Sequence, residues 1–424
     1  MEPGRNLHAA IGGCYMIDGD RRVIWTNLVA LLAVLFLFSP VFNFYFFFYS
    51  GFYINFTSIF LVSFVLVSCF DQIKIKKNDL LTYSIGLLLI CYAGFSIIYS
   101  PSENYSKVKF FFLFCHYVFF VFLSFKKGKG LEECIAKYLY WSAIISALLF
   151  VVNSSVILGS ADKGRELNEG LNASIYLMTG FLVGFSSLHF LIFSNHSNSF
   201  KIMVLVLSSV VILYTGSRGP MIFLLICSFF YFSFLGVGSF SRFIDKKRLV
   251  WSGAFCLVFL LAFFSVLGFT DVFKADEFSR AFARLYKLSD LSSTGRIKHF
   301  DFVLNADYSI FQLFLGRGLG SYGYYIYGLD SREYPHNIFL ELWFELGVVG
   351  ILFFLIFIVS IFVRVGRSAM GIFFFSLYPF FELMKSSSFS DFRPFWFACA
   401  ISVVVLGCRK KEAANSMRVP LGKI

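Results

Sequence analysis

The sequence predicts an all-α polytopic membrane protein of about twelve transmembrane helices, with one large outward-facing loop between helices 9 and 10. Three observations carry this. Apolar residues make up 58% of the 424 positions and charged residues only 15%, against about 45–50% and about 25% in soluble chains. Apolar runs of about 18–20 residues recur, long enough to cross about 30 Å of hydrocarbon. The polar–apolar alternation of a membrane barrel is missing, so the backbone must be satisfied within helices.

Taken in order, the spans fall near 23–40, 52–70, 80–99, 110–125, 135–158, 171–193, 202–214, 220–238, 249–269, 337–363, 370–385 and 395–407. The chain thus divides into a tail at 1–22, helices 1–9 over 23–269, a polar loop at 270–336, helices 10–12 over 337–407 and a tail at 408–424. The run 202–214 is short and is expected to begin earlier or to tilt. No A-x-A site follows the first apolar run, so it is expected to stay as the first span. The sixty-one Phe read as packing and lipid-facing bulk.

Lys and Arg in the short connections set the orientation. One side carries Arg5, Arg21, Arg22, Lys74, Lys76, Lys77, Lys126, Lys127, Lys129 and Lys201, then Arg242, Lys246, Lys247, Arg248, Arg364, Arg367, Arg409, Lys410, Lys411, Arg418 and Lys423. The other short loops carry Lys107, Lys109, Lys163, Arg165, Arg218, Lys385 and Arg393. Both termini are therefore expected in the cytoplasm, with 270–336 facing outward. The net charge of +12 is then a topology signal at the membrane edges rather than a nucleic-acid footprint. Nine Cys are present, none of them in the long loop, and no pair has metal-site spacing.

Within that loop, Glu277–Ser289 sets Phe278, Phe282 and Leu285 on one helical face and Arg280, Arg284 and Lys287 on another. Such a segment lies flat on a leaflet with its cations near lipid phosphates, or simply covers the bundle. Ser292-Ser293-Thr294 offers a cap for a helix starting near Gly295, on which Arg296 and His299 stand one turn apart. The run Gly316-Arg317-Gly318-Leu319-Gly320-Ser321-Tyr322-Gly323 lacks the strand and Lys-Ser/Thr of a nucleotide loop and reads as a flexible hinge.

The chemistry-bearing candidates are few. Arg218 sits in a turn so short that its guanidinium must lie at the helix ends, facing a cavity or snorkelling to headgroups. Arg suits phosphate because its planar fork binds two oxygens and keeps its charge. His336 follows Pro335 at the start of a span, where helix amides favour an anion and an imidazole can accept a proton near neutral pH. Its alternative is a cap on that helix. Glu341 and Glu345 lie one and two turns further on, placed to pair with a buried Arg or to orient the His. Without a second His on that face, a metal is not expected.

Ser217-Arg218-Gly219, Ser293-Thr294-Gly295-Arg296, Gly316-Arg317-Gly318-Leu319-Gly320 and Pro335-His336-Asn337, in this order around one outward loop, resemble the O-antigen ligase/polymerase superfamily of bacterial inner-membrane glycan-assembly proteins. His336-Asn337 followed by Gly347-Val348-Val349-Gly350 is similar to the His-Asn…Gly pattern of the ligases. The resemblance implies glycosyl transfer from a polyprenyl-diphosphate-linked oligosaccharide, without metal or cofactor, and makes 270–336 a periplasmic catalytic loop. It implies Arg218 and Arg296 on the diphosphate and His336 as the base. Arg317, Arg280, Arg284, His299, Glu341 and Glu345 are then substrate-binding candidates. Repeat-unit polymerase is the first reading, ligase to lipid A core the second, and a lipid-linked glycan flippase the alternative outside catalysis. The implied partners are the bilayer, a chain-length regulator and other glycan-export proteins.

Overall fold

The structure is a computed structural model that describes residues 5–52, 54–69, 77–126, 130–153, 169–194, 196–234, 295–363, 370–385, 388–390 and 393–416. Every regular element among them is helical. In chain order they are α1 (Arg5–Ser50), α2 (Phe56–Cys69), α3 (Lys77–Ser96) with a 3₁₀ turn at Ile97–Tyr99, α4 (Tyr105–Ser124) and α5 (Leu131–Val152). Then come α6 (Glu169–Phe193), α7 (Asn198–Tyr214), α8 (Arg218–Phe234), α9 (Gly295–Leu304), α10 (Ile310–Leu315) and α11 (Tyr322–Tyr327). Last are α12 (Ile338–Phe362), α13 (Met370–Lys385) and α14 (Arg393–Ser416).

Six of these are long and apolar enough to cross a membrane: Val23–Ser50, Asp79–Tyr99, Tyr105–Ser124, Leu131–Val152, Ile175–Phe193 and Ile338–Phe362. Shorter apolar helices occupy Phe56–Cys69, Asn198–Tyr214, Gly219–Phe232 and Arg393–Leu406. The span expected at 249–269 and the amphipathic segment at 277–289, with Arg280 and Arg284, lie outside the described residues. The helix expected near Gly295 is α9. Several boundaries differ from expectation; α1 already begins at Arg5 and carries Pro40 inside it, a placement that membrane helices tolerate.

Local chemistry sets several helix starts. The Ser197 hydroxyl accepts from Phe200 N–H at the start of α7. Ser309 and Gln312 form a reciprocal capping box on α10. Asn337 caps α12, its Oδ1 accepting from Phe339 N–H at 2.9 Å and Leu340 N–H at 3.2 Å.

The helices sort by what they face. In α14, every side chain from Pro394 to Leu406 is buried, and α6 packs beside it through Phe185, Phe375 of α13 and Phe397. Outer helices instead carry stripes of exposed apolar side chains, such as Ile59, Val62 and Leu66 on α2 and Trp141, Ile145 and Leu148 on α5. These recur every three or four residues, so each is one helix face turned to an apolar solvent.

Contacts also fix which connections share an end. Ser100 Oγ donates to Leu319 O at 2.8 Å, and Asn104 N–H donates to Asp330 at 2.8 Å. Asn337 Nδ2 donates to Met384 O at 3.1 Å. The connection 97–104, the segment 305–337 and the end of α13 therefore gather at one end, called here the loop end. At the opposite end Lys126 Nζ donates to Ser68 O at 3.0 Å, so α2 and α4 run parallel.

Candidate active site

The loop end is built around the start of α12. Pro335 fixes one backbone dihedral and Asn337 is extended at φ −149°, so His336 between them takes φ +55°. A non-glycine residue there is uncommon, His being among the more tolerant types, and such strain gathers at functional positions. Capping belongs to Asn337 rather than to His336, which leaves the imidazole outside the cap.

His336 packs edge-to-face on two rings, with centroids 4.5 Å from Tyr334 and 5.6 Å from His299. His299, on α9, is buried and its Nδ1 lies 2.6 Å from the Tyr322 hydroxyl of α11. Burial pushes the His299 imidazole below its usual range, and the Glu333 charge opposes that shift. Burial thus disfavours the charged form of the His299 ring, and its Nδ1 shares a hydrogen bond with the Tyr322 hydroxyl. Two histidines from the expected loop meet, as do the helices that carry them.

A second route leads from α12 to Arg218. Beyond the Asn337–Met384 bond, the next residue, Lys385, lays its ammonium against Gly219, where a Cβ would collide with it. Arg218, beside Gly219, opens α8 at the loop end. The turn before it is rigid. Thr215 Oγ1 donates to Ile212 O at 2.7 Å and to Ser217 Oγ at 2.9 Å, and Ser217 Oγ donates to Tyr176 O at 2.9 Å. The backbones of Arg218 and Arg296 are described and their side chains are not. Arg296 shares α9 with His299, one turn away.

Beneath this surface is a buried ion cluster whose cation, Lys109, the sequence places in a short loop. Lys109 does not sit in a loop. It lies within α4, 1% exposed, with Nζ 2.6 Å from Glu341 Oε1 and 2.8 Å from Glu345 Oε1. Glu341 also accepts from Ser388 Oγ at 2.6 Å and Phe389 N–H at 3.0 Å, and Glu345 from Gly320 N–H at 2.9 Å. The expected partner of these carboxylates was an Arg or His336; the structure supplies Lys109. Their oxygens face that ammonium and backbone amides inside the bundle.

The glycine-rich run is likewise docked rather than flexible. Helix α12 breaks at Gly347, at φ +64° and ψ −165°. The freed carbonyls of Phe344 and Glu345 each accept at 2.9 Å, from Arg317 N–H and Gly318 N–H. A Cβ on Gly316 would strike the Glu345 carbonyl group, and one on Gly347 would strike the Phe314 carbonyl oxygen. Here glycine permits backbone to lie on backbone. Tyr92 of α3 secures both strands of this contact, donating to Leu315 O at 3.1 Å and to Leu346 O at 3.0 Å.

Arg317 is caged. Its guanidinium lies 4.5–4.9 Å from the ring centroids of Tyr325, Tyr308 and Phe344 and donates to Asp307 O. Its nearest neighbours are thus protein groups. Asp330, missed in the sequence, accepts from Ser102 Oγ at 2.5 Å as well as from Asn104 N–H. Burial raises its carboxyl, but these bonds and the Tyr105 and Glu103 amides outweigh that and hold it below the usual range. The signals for Lys109 and Asp330 were slight: a cation inside a Phe-rich run, and an acid in a turn.

Residues 203–355 match the family model described as O-antigen ligase. The match begins in α7, spans Arg218, Arg296 and His336, and ends beyond the Gly347 break. It supports the resemblance of this stretch to the O-antigen ligase/polymerase superfamily. No curated protein and no solved structure matches the chain.

Proposed function

We propose, from the resemblance of residues 203–355 to the O-antigen ligase/polymerase superfamily, that this protein joins polyprenyl-diphosphate-linked repeat units into O-antigen or capsular polysaccharide. It does so at the outer face of a bacterial inner membrane, with both termini cytoplasmic and the loop end periplasmic. The observation that carries this reading is the bridge from Asn337 to Met384 and from Lys385 to Gly219. It supports a common pocket for His336 and Arg218, and the His299–His336 contact brings α9, and so Arg296, to the same place.

In this reading Arg218 and Arg296 hold the diphosphate of the donor, with the Lys385 ammonium beside them. His336 accepts the proton of the acceptor hydroxyl as that oxygen attacks the anomeric carbon. The bond from that carbon to the diphosphate oxygen breaks in the same step, which inverts the centre. The leaving group gains negative charge as it departs, so fixed cations favour the transition state over the ground state. No metal or nucleotide is called on. Arg280 and Arg284 serve as an amphipathic cover over the lipid carrier. Glu341, Glu345 and Arg317 hold the frame of the site, while His299 holds the His336 ring. A chain-length regulator is the natural partner for such a polymerase.

The ligase reading has its own support in the family description and in the His336-Asn337…Gly347 spacing. A deletion strain separates the two on one glycan gel. Loss of the polymerase leaves core bearing a single repeat unit, whereas loss of the ligase leaves bare core and unattached lipid-linked polymer. Loss of a flippase leaves neither. Arg218→Ala and His336→Ala are expected to reach the membrane at normal levels and to abolish long-chain glycan. An unchanged ladder in both variants would overturn the site.

A further inference from the structure

A cavity of about 320 Å³ lies between α1, α2 and α4, far along the chain from the family match. It is elongated: its lining runs along α2 from Thr57 to Leu66, about 14 Å of helix. Because α2 and α4 run parallel, Thr57 marks its loop end. The walls are apolar, among them Phe36, Phe112 and Phe114, and the mouth opens beside the exposed face of α2 that carries Val62 and Leu66.

One wall residue does not suit an empty greasy slot. His116 is 1% exposed, and neither ring nitrogen meets hydrogen-bond geometry with a partner among the described residues. The Ser390 backbone lies nearby without meeting hydrogen-bond geometry. The ring is flanked by Phe36 and Phe112, with centroids at 5.8 and 6.5 Å. A buried imidazole without a well-formed hydrogen bond is costly, and such groups are normally satisfied. A saturated chain in the cavity would offer it nothing. The double bonds of an isoprenoid chain offer π faces that an N–H can approach as a weak donor.

The cavity also has a defined relation to the site. Ser390, beside His116, lies 3.2 Å through its hydroxyl from Ser388, which donates to Glu341 on the helix that His336 opens. Segment 388–390 therefore lies between His116 and Glu341 of α12. We infer that the cavity between α2 and α4 holds the isoprenyl chain of the second lipid-linked glycan, the acceptor, with His116 against its double bonds. This rests on the polymerase reading, in which two carriers must be present together, one at the diphosphate site and one elsewhere.

The test uses the full-length protein in nanodiscs with two photoreactive probes, a diazirine-bearing polyprenyl phosphate and a diazirine-bearing phosphatidylethanolamine. The polyprenyl probe is expected to label peptides covering 57–66 and 111–118. Val62→Trp fills the mouth from a position 56% exposed, where bulk does not disturb the core; it should abolish that label and reduce surface glycan to a single repeat unit. His116→Phe keeps the bulk and should weaken the label while leaving donor binding intact. Labelling by the phospholipid probe alone, or a polyprenyl label that persists in Val62→Trp, overturns the inference. So does a normal glycan ladder in Val62→Trp despite loss of the label. If the deletion strain shows bare core with free polymer, the polymerase reading falls, whatever the labelling pattern.

Discussion

Lys109 and Glu345, 236 residues apart in the chain, meet at 2.8 Å inside the bundle, and Glu341 shares the same ammonium at 2.6 Å. One cation thus ties α4 to the first half of α12, just past His336. Through Gly320 and Phe389 the same carboxylates hold the glycine-rich run and the segment before α14. Removing the cation leaves two buried carboxylates facing each other. Lys109→Met is expected to cost about 3–5 kcal/mol, the usual penalty for a broken buried pair. Thermal unfolding in detergent measures it. Adding Glu341→Gln and Glu345→Gln should recover most of the loss, because neutral amides need no counter-charge. If Lys109→Met were as stable as the parent, the cluster would have no structural role.

The break at Gly347 and the run at Gly316 form one contact, so their substitutions should behave as one. Each residue has positive φ, +64° and +80°, and each lacks room for a Cβ. Gly347→Ala or Gly316→Ala is expected to lose at least about 1–3 kcal/mol from backbone strain alone. The double variant should lose clearly less than the sum, since either change already separates the two backbones. Fully additive losses would mean that the run is not docked on the helix break.

Asp330 pins the connection 100–104 through the Ser102 hydroxyl and backbone amides, and its carboxyl is held below the ordinary value of 3.8. The unfolded carboxyl binds protons more readily, so the contribution is complete above that ordinary value and declines as pH falls through the lower folded value. The group is exposed, so the global effect is small. The readout is therefore local: amide exchange at Asn104 and Tyr105 should rise in Asp330→Asn at pH 7 while the rest of α4 stays protected. Unchanged exchange at these two amides would refute the tie.

Much of the scaffold was legible because a membrane helix declares itself by local composition. The apolar runs at 80–99, 171–193 and 337–363 became α3, α6 and α12 without help from distant residues. Of the candidate site, the sequence offers His336 in a short motif and His299 on the helix near Gly295, and the structure brings their rings to 5.6 Å. What escaped is what depends on a partner elsewhere. Lys109 looked like a loop cation because the fourth span was placed from 110, and only Glu341 and Glu345 reveal its depth. Glycines at 316, 318 and 320 signal flexibility or close approach equally well until the broken helix at Gly347 is seen. Asn337 sits beside the His that drew attention, yet it does the capping.

Arg317 shows how position can mislead and how a single substitution can decide. A phosphate-binding cation is partly replaced by lysine, which keeps the charge; a guanidinium stacked among aromatic rings is not, because lysine has no planar face. Cation–π contacts contribute about 0.5–2 kcal/mol each when desolvated, and three rings surround this group. Arg317→Lys is therefore expected to destabilise the segment 305–327 nearly as much as Arg317→Ala. Both should leave any residual activity with an unchanged KM for the lipid-linked donor. Limited proteolysis across 305–327 reads the first effect, and transfer kinetics in nanodiscs read the second. Rescue by lysine with a raised KM for alanine would return Arg317 to the substrate and dismantle the cage as its purpose.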